Sequence, residues 1–122
     1  MLRDTLFKII KSDHLDGVIN ATLDLNKNSE IFTGHFPGNP VLPGACMLQI
    51  VKEILESTID TPLRLKKADQ IKFTGIIAPG INNVLQLTIT YKPTDNNKIN
   101  VTANITVKKG ICFKFQGNFI AL

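Results

Sequence analysis

Alternation of apolar and polar side chains is clearest in the last third of the chain. Leu85, Leu87, Ile89 and Tyr91 alternate with Val84, Gln86, Thr88 and Thr90, the period of a strand with one packed and one wetter face. Turn-forming residues follow at Lys92-Pro93-Thr94-Asp95-Asn96-Asn97. Alternation then resumes, with Ile99, Val101, Ala103, Ile105 and Val107 on one side and Asn100, Thr102, Asn104 and Thr106 on the other. Lys108-Lys109-Gly110 marks a tight reversal. Beyond it Phe113, Phe115, Gly117 and Phe119 share a face opposite Cys112, Lys114, Gln116 and Asn118. Three consecutive strands joined by short turns predict an antiparallel meander.

Upstream, Val18, Ile19, Ala21, Leu23 and Leu25 predict a further strand after the turn-like Asp13-His14-Leu15-Asp16-Gly17, and Leu65 to Ile77 predicts a long strand ending at Ala78-Pro79-Gly80. One segment reads as a long helix. It starts after Pro43-Gly44 and runs from Ala45 through Glu56, with apolar residues around most of its first two turns, the pattern of a mostly buried helix. One helix and five or six antiparallel strands, with no βαβ alternation, predict a single α+β domain over 1–122 in which a curved sheet wraps the helix.

A chain of 122 residues with 43% hydrophobic and 20% charged side chains is long and apolar enough for one core. No apolar run approaches the ~18–20 residues of a membrane helix. The opening stretch is interrupted by Arg3, Asp4, Lys8 and Lys11, which argues against a secretory signal. Cys46 and Cys112 are too few and too far apart for a disulfide framework or a zinc cluster and suit reduced thiols in a cytoplasmic protein. The chain shows neither a phosphate loop nor ligand-spaced His/Cys, so no metal or nucleotide cofactor is implied. A net charge of +4 favours an acidic partner. Scattered basic residues without an aromatic platform argue against nucleic acid. Arg64, Lys66, Lys67 and Lys72 lie near one another on a predicted strand and suit either an acidic partner or a solvated face.

The stretch richest in chemistry is Gly34-His35-Phe36-Pro37-Gly38-Asn39-Pro40-Val41-Leu42-Pro43-Gly44, three prolines and three glycines delivered onto the helix start. Such a loop is stiff and allows close backbone approach. Free N–H groups of Gly44 and Ala45 would favour developing negative charge beside them. A histidine next to such a terminus suits proton abstraction beside a thioester carbonyl, although a lone loop histidine is more often a hydrogen-bonded surface residue.

The stretch His35 to Gly44 resembles the HFPGxPxxPG signature of the 3-hydroxyacyl-[acyl-carrier-protein] dehydratases of fatty-acid synthesis, members of the hot-dog fold. Ile71-Lys72-Phe73-Thr74-Gly75-Ile76-Ile77-Ala78-Pro79-Gly80 resembles the strand that ends in that family's second PG element. The resemblance covers the chain from about Asp16 onward and implies a dimer whose sites are built across the subunit boundary. It implies His35 as base or proton shuttle, the Gly44 N–H as polariser of the thioester carbonyl, and a helix carboxylate acting on the β-hydroxyl. Phe36, Pro43, Ala45, Leu48 and Phe73 are then expected to contact the acyl chain, delivered by an acyl carrier protein.

Fourteen positions after His35, where the resemblance implies the carboxylate, the chain has Gln49. Glutamine donates and accepts hydrogen bonds but does not exchange a proton near neutral pH. Glu53 lies one turn further on the same helix face and is a weak substitute, displaced by ~5.4 Å. Taken without the resemblance, Gln49, Lys52, Glu53 and Glu56 look like an ordinary solvent-facing stripe. Three functions follow for comparison: a dehydratase acting on 3-hydroxyacyl thioesters, a weak or silent acyl-binding subunit of a homo- or heterodimer, and a thioesterase, which would need an acid this helix does not obviously place. His14 is expected to be an exposed turn residue. Cys46, near the helix start, is read as a buried structural thiol in preference to an activated one. Met47, Leu48, Val51, Phe36 and Phe73 are read as core residues or acyl-tunnel lining.

Overall fold

The computed structural model describes residues 1–32, 40–108 and 110–122. Six strands, β1 (Phe7–Leu15), β2 (Val18–Leu25), β3 (Leu63–Phe73), β4 (Val84–Pro93), β5 (Lys98–Val107) and β6 (Gly110–Ala121), form one antiparallel sheet in the order β1-β2-β4-β5-β6-β3. The single α-helix among the described residues, α1 (Gly44–Ile59), lies between β2 and β3 in the chain, after a 3-10 turn at Glu30–Phe32. This is the α+β arrangement expected from the alternation.

Burial follows the period of two. Ile19, Ala21, Leu23 and Leu25 of β2, Leu85, Leu87 and Ile89 of β4, and Ile99, Val101, Ala103 and Ile105 of β5 form one inner face. The aromatic residues Phe113, Phe115 and Phe119 of β6 complete it. Met47, Ile50, Val51, Ile54 and Leu55 supply the helix's share, spaced to fall on one side. Pro43 caps the start of α1 in extended conformation, and Asp60 ends the helix in the left-handed region with φ 53°. The N–H of Asp60 donates to the Glu56 carbonyl. Glu56 also accepts the Leu63 N–H at 2.7 Å through its carboxylate, which ties the helix end to the start of β3.

The structure differs from the sequence pattern at both sheet edges. β1 begins at Phe7 and continues through His14 and Leu15, so the turn contains only Asp16 and Gly17, both with positive φ (50° and 77°). That is the backbone of a two-residue hairpin. β1 escapes the alternation test because it is an edge strand in which only Phe7 is fully buried. At the other edge β3 stops at Phe73, four residues before the expected Ile77, with Thr74 still bonded to β6. There its N–H donates to the Cys112 carbonyl and its hydroxyl to the Ile111 carbonyl. Cys112, expected on the wetter face, is buried, because the β5–β6 register slips between Ile105 and Thr106 and Gly75 lies against its sulfur.

Two register irregularities in β3, between Leu65 and Lys67 and between Ala68 and Gln70, bracket the pairing of Ala68 with Gly117. A Cβ at Gly117 would overlap the Lys67 carbonyl oxygen and come within 3.1 Å of the Ala68 Cα. Backbone cannot yield there cheaply. Gly117→Ala is therefore expected to cost about 1–3 kcal/mol, read as a lower urea midpoint. An unchanged midpoint would show that β3 is not pinned at this point.

Candidate functional site

Helix α1 opens without a side-chain cap and without an acidic residue in its first turn. Its first bonded amides are those of Cys46 and Met47, which donate to the Pro43 carbonyl at 3.1 and 3.3 Å. The Gly44 and Ala45 N–H groups have no acceptor among the described residues. They carry the positive end of the helix dipole, with Gly44 half-buried and Ala45 exposed. Pro43 and Leu48 are also half-buried.

The approach to this terminus is held by the segment after β3. The Leu42 N–H donates to the Ile77 carbonyl at 2.8 Å, and both side chains are buried. The result brings Gly44 and Phe73 together: a Cβ on Gly44 would lie 2.5 Å from Phe73 Cζ, so only glycine allows the ring to lie on the helix start. Phe73 rests against Phe113 with ring centroids 5.5 Å apart yet is 57% exposed. It is a ledge beside the helix terminus and not a core residue. Met47 and Val51 are core, as expected. His35 and Phe36 lie outside the described residues.

Further along the helix, Gln49 and Glu53 form one unit. Gln49 Nε2 donates to Glu53 Oε2 at 3.0 Å. Glu53 is 3% exposed, and its carboxylate also accepts the Leu2 N–H (2.8 and 3.0 Å to its two oxygens) and the Arg3 N–H at 3.0 Å. The expected solvent-facing stripe is thus overturned: Glu53 is buried, while Gln49, Lys52 and Glu56 are half-buried. Glu53 is also no stand-in acid reaching into a cleft, because three N–H donors occupy its oxygens. The sequence could not show this, since Leu2 and Arg3 arrive from some fifty positions away.

Burial pushes the Cys46 thiol above its ordinary pKa, the opposite of the activation a helix start can give. Cys112 is raised as well, mainly by burial, with a smaller lowering contribution from a backbone hydrogen bond at Val107. His14 is a strand residue, not a turn residue: its Nε2 lies 2.7 Å from the Tyr91 hydroxyl across the sheet. Arg64, Lys66, Lys67 and Lys72 are all exposed along β3, and Lys67 pairs with Asp69 at 3.4 Å.

Comparison with known proteins gives one consistent answer. Curated relatives include the 3-hydroxyacyl-[acyl-carrier-protein] dehydratase FabZ of Rickettsia typhi, 33% identical over 88 residues, which cover 66% of this chain and 58% of that protein. FabZ of Anaplasma phagocytophilum is 28% identical over 102 residues, covering 75% of this chain and 68% of that protein. The chain thus spans 58% of the length of the Rickettsia relative. Among solved structures, the dehydratase heterocomplex ApeI:P from Xenorhabdus doucetiae superposes with a TM-score of 0.80 at 19% identity, over 93% of this chain and 96% of that one. A hypothetical thioesterase with coenzyme A from Streptococcus pneumoniae shares the fold at TM-score 0.68 and 14% identity, over 98% of this chain and 90% of that one. The fold is therefore the hot-dog fold, which that hypothetical thioesterase shares. The family model described as ApeI-like, ApeI dehydratase, matches residues 11–113, most of the chain: the protein belongs to the ApeI-like dehydratase family, related to FabZ.

Proposed function

We propose that the chain acts on 3-hydroxyacyl thioesters carried by an acyl carrier protein, as a dehydratase of reduced power in which Gln49 stands in place of the helix acid. The supporting observation is the start of α1. Two N–H groups without acceptors among the described residues, at Gly44 and Ala45, lie beside the Phe73 ledge and at the end of the His35–Gly44 stretch of sequence. A thioester carbonyl placed at these amides would be polarised as enolate charge develops. His35 would then take the Cα proton, and the acyl chain would run along Phe73 and Leu48. No metal or cofactor is needed for this chemistry. Exposed Arg64, Lys66, Lys67 and Lys72 suit an acidic carrier protein. Exposed Ile71 and Phe73 on edge strand β3 offer apolar surface to a second hot-dog subunit.

A second reading makes the chain a weak or silent partner in a heterodimer whose other subunit supplies the acid. It is favoured by the commitment of Gln49 to Glu53, which leaves no proton donor at that place among the described residues. The relative from Xenorhabdus is itself part of a dehydratase heterocomplex. The test is mass spectrometry of 3-hydroxyacyl and trans-2-enoyl thioesters on acyl carrier protein. Interconversion by loss or gain of water that His35→Ala abolishes supports the dehydratase. Hydrolysis of the acyl group would favour a thioesterase instead.

A further inference from the structure

The two ends of an amide side chain have the same shape, and only their surroundings decide which end faces where. For Gln49 the surroundings decide. The atom of its amide nearest Glu53 lies 3.0 Å from Oε2, an oxygen that already accepts the Leu2 N–H at 2.8 Å. A carboxylate oxygen accepts and does not donate, so the group facing it must be the NH2. Turning the amide over would set two oxygens against each other at a residue only 3% exposed. Glu53 itself has little freedom, because the Leu2 and Arg3 amides grip both of its oxygens. Gln49 and Glu53 are four positions apart on one rigid helix, so each stays within reach of the other.

The consequence is directional. The Gln49 carbonyl oxygen, Oε1, is turned away from Glu53 and has no partner among the described residues. A fixed carbonyl accepts a hydrogen bond from a hydroxyl but gives it no proton. We propose that Glu53 is a positioning residue that fixes which end of the Gln49 amide faces outward, so that its carbonyl oxygen is the acceptor through which the site recognises the 3-hydroxyl of its acyl ligand. The place of that ligand rests on the reading given above. A 3-hydroxyacyl chain can donate to Oε1, whereas a saturated or 2-enoyl chain cannot. One net hydrogen bond to a neutral acceptor corresponds to about 3–10-fold in affinity.

Two measurements on the full chain test this. In the NMR spectrum of the free protein, one Gln49 side-chain N–H proton is expected downfield and slow to exchange, and Glu53→Gln is expected to abolish that signature. Non-hydrolysable amide analogues of 3-hydroxyacyl, saturated and 2-enoyl pantetheine are then titrated. The hydroxyacyl analogue is expected to bind about 3–10-fold tighter than the others. Gln49→Met is expected to erase the preference, so that the three analogues bind alike. Should Glu53→Gln not fold, the wild-type spectrum and Gln49→Met still decide. Ordinary, fast-exchanging Gln49 amide protons would overturn the orientation. A hydroxyl preference that is absent, or that survives Gln49→Met, would overturn the recognition while leaving the thioester reading standing. If none of the analogues bound, both would fall.

Discussion

Gln49→Glu raises the rate of water loss from 3-hydroxyacyl thioesters by about 10²–10⁴-fold, the usual contribution of one general acid. The substitution changes one atom type at a place already built to hold a polar group. The new carboxyl would sit about where the amide does now, with Nε2 at 3.0 Å from Glu53 Oε2. A carboxyl beside a buried carboxylate resists ionisation, so it keeps its proton to higher pH than an ordinary Glu and is suited to donate it near neutrality. The same effect costs stability. A carboxyl whose folded-state pKa is raised leaves the native state binding more protons than the unfolded one. Stability then falls as pH rises from the ordinary carboxylate range through the raised value. The variant should therefore be faster than wild type and less stable at pH 8 than at pH 5, read as turnover and urea midpoint at both pH values. A folded variant with no gain in rate would mean that position 49 does not face the β-hydroxyl.

Glu53→Ala has the largest expected effect on the fold. It removes the acceptor of the Leu2, Arg3 and Gln49 N–H groups at a residue 3% exposed. Each stranded donor costs about 1–3 kcal/mol where water cannot replace the lost partner. Because Leu2 and Arg3 are at least partly solvated, about 2–4 kcal/mol in total is expected, or roughly 10 °C in Tm for a chain of this size. Faster hydrogen exchange at the Leu2 and Arg3 amides should accompany it. A Tm within a degree or two of wild type would show that the buried carboxylate contributes nothing net to stability.

The sheet was legible where strands are buried on one face only. β2, β4, β5 and β6 each set apolar residues at alternate positions because the core lies on one side and water on the other. β1 was not legible, since an edge strand with one fully buried residue has no alternation to display. The end of β3 misled in the opposite sense. Ile71, Phe73 and Ile76 are apolar, yet they are 39%, 57% and 73% exposed, so hydrophobicity there does not report core. At the site, Gly44, Phe73 and Gln49 were each readable from sequence, but the meeting of Gly44 with Phe73 depends on chain crossing between α1 and β3. Neither a solvent-facing stripe nor a weak substitute acid describes Glu53, because a helical wheel counts charge and not the amides that a distant segment brings to it.

On the proposed reading the chain retains the base and the carbonyl-polarising amides of a dehydratase but lacks its acid. Abstraction of the Cα proton needs only the first two. Incubation of a 3-hydroxyacyl thioester on acyl carrier protein in deuterium oxide, followed by mass spectrometry, separates the steps. Deuterium incorporation at Cα is expected to be lost in His35→Ala and to run ahead of water loss in the wild type, with Gln49→Glu bringing water loss level with exchange. Absence of both exchange and water loss in wild type and in Gln49→Glu alike would contradict that reading.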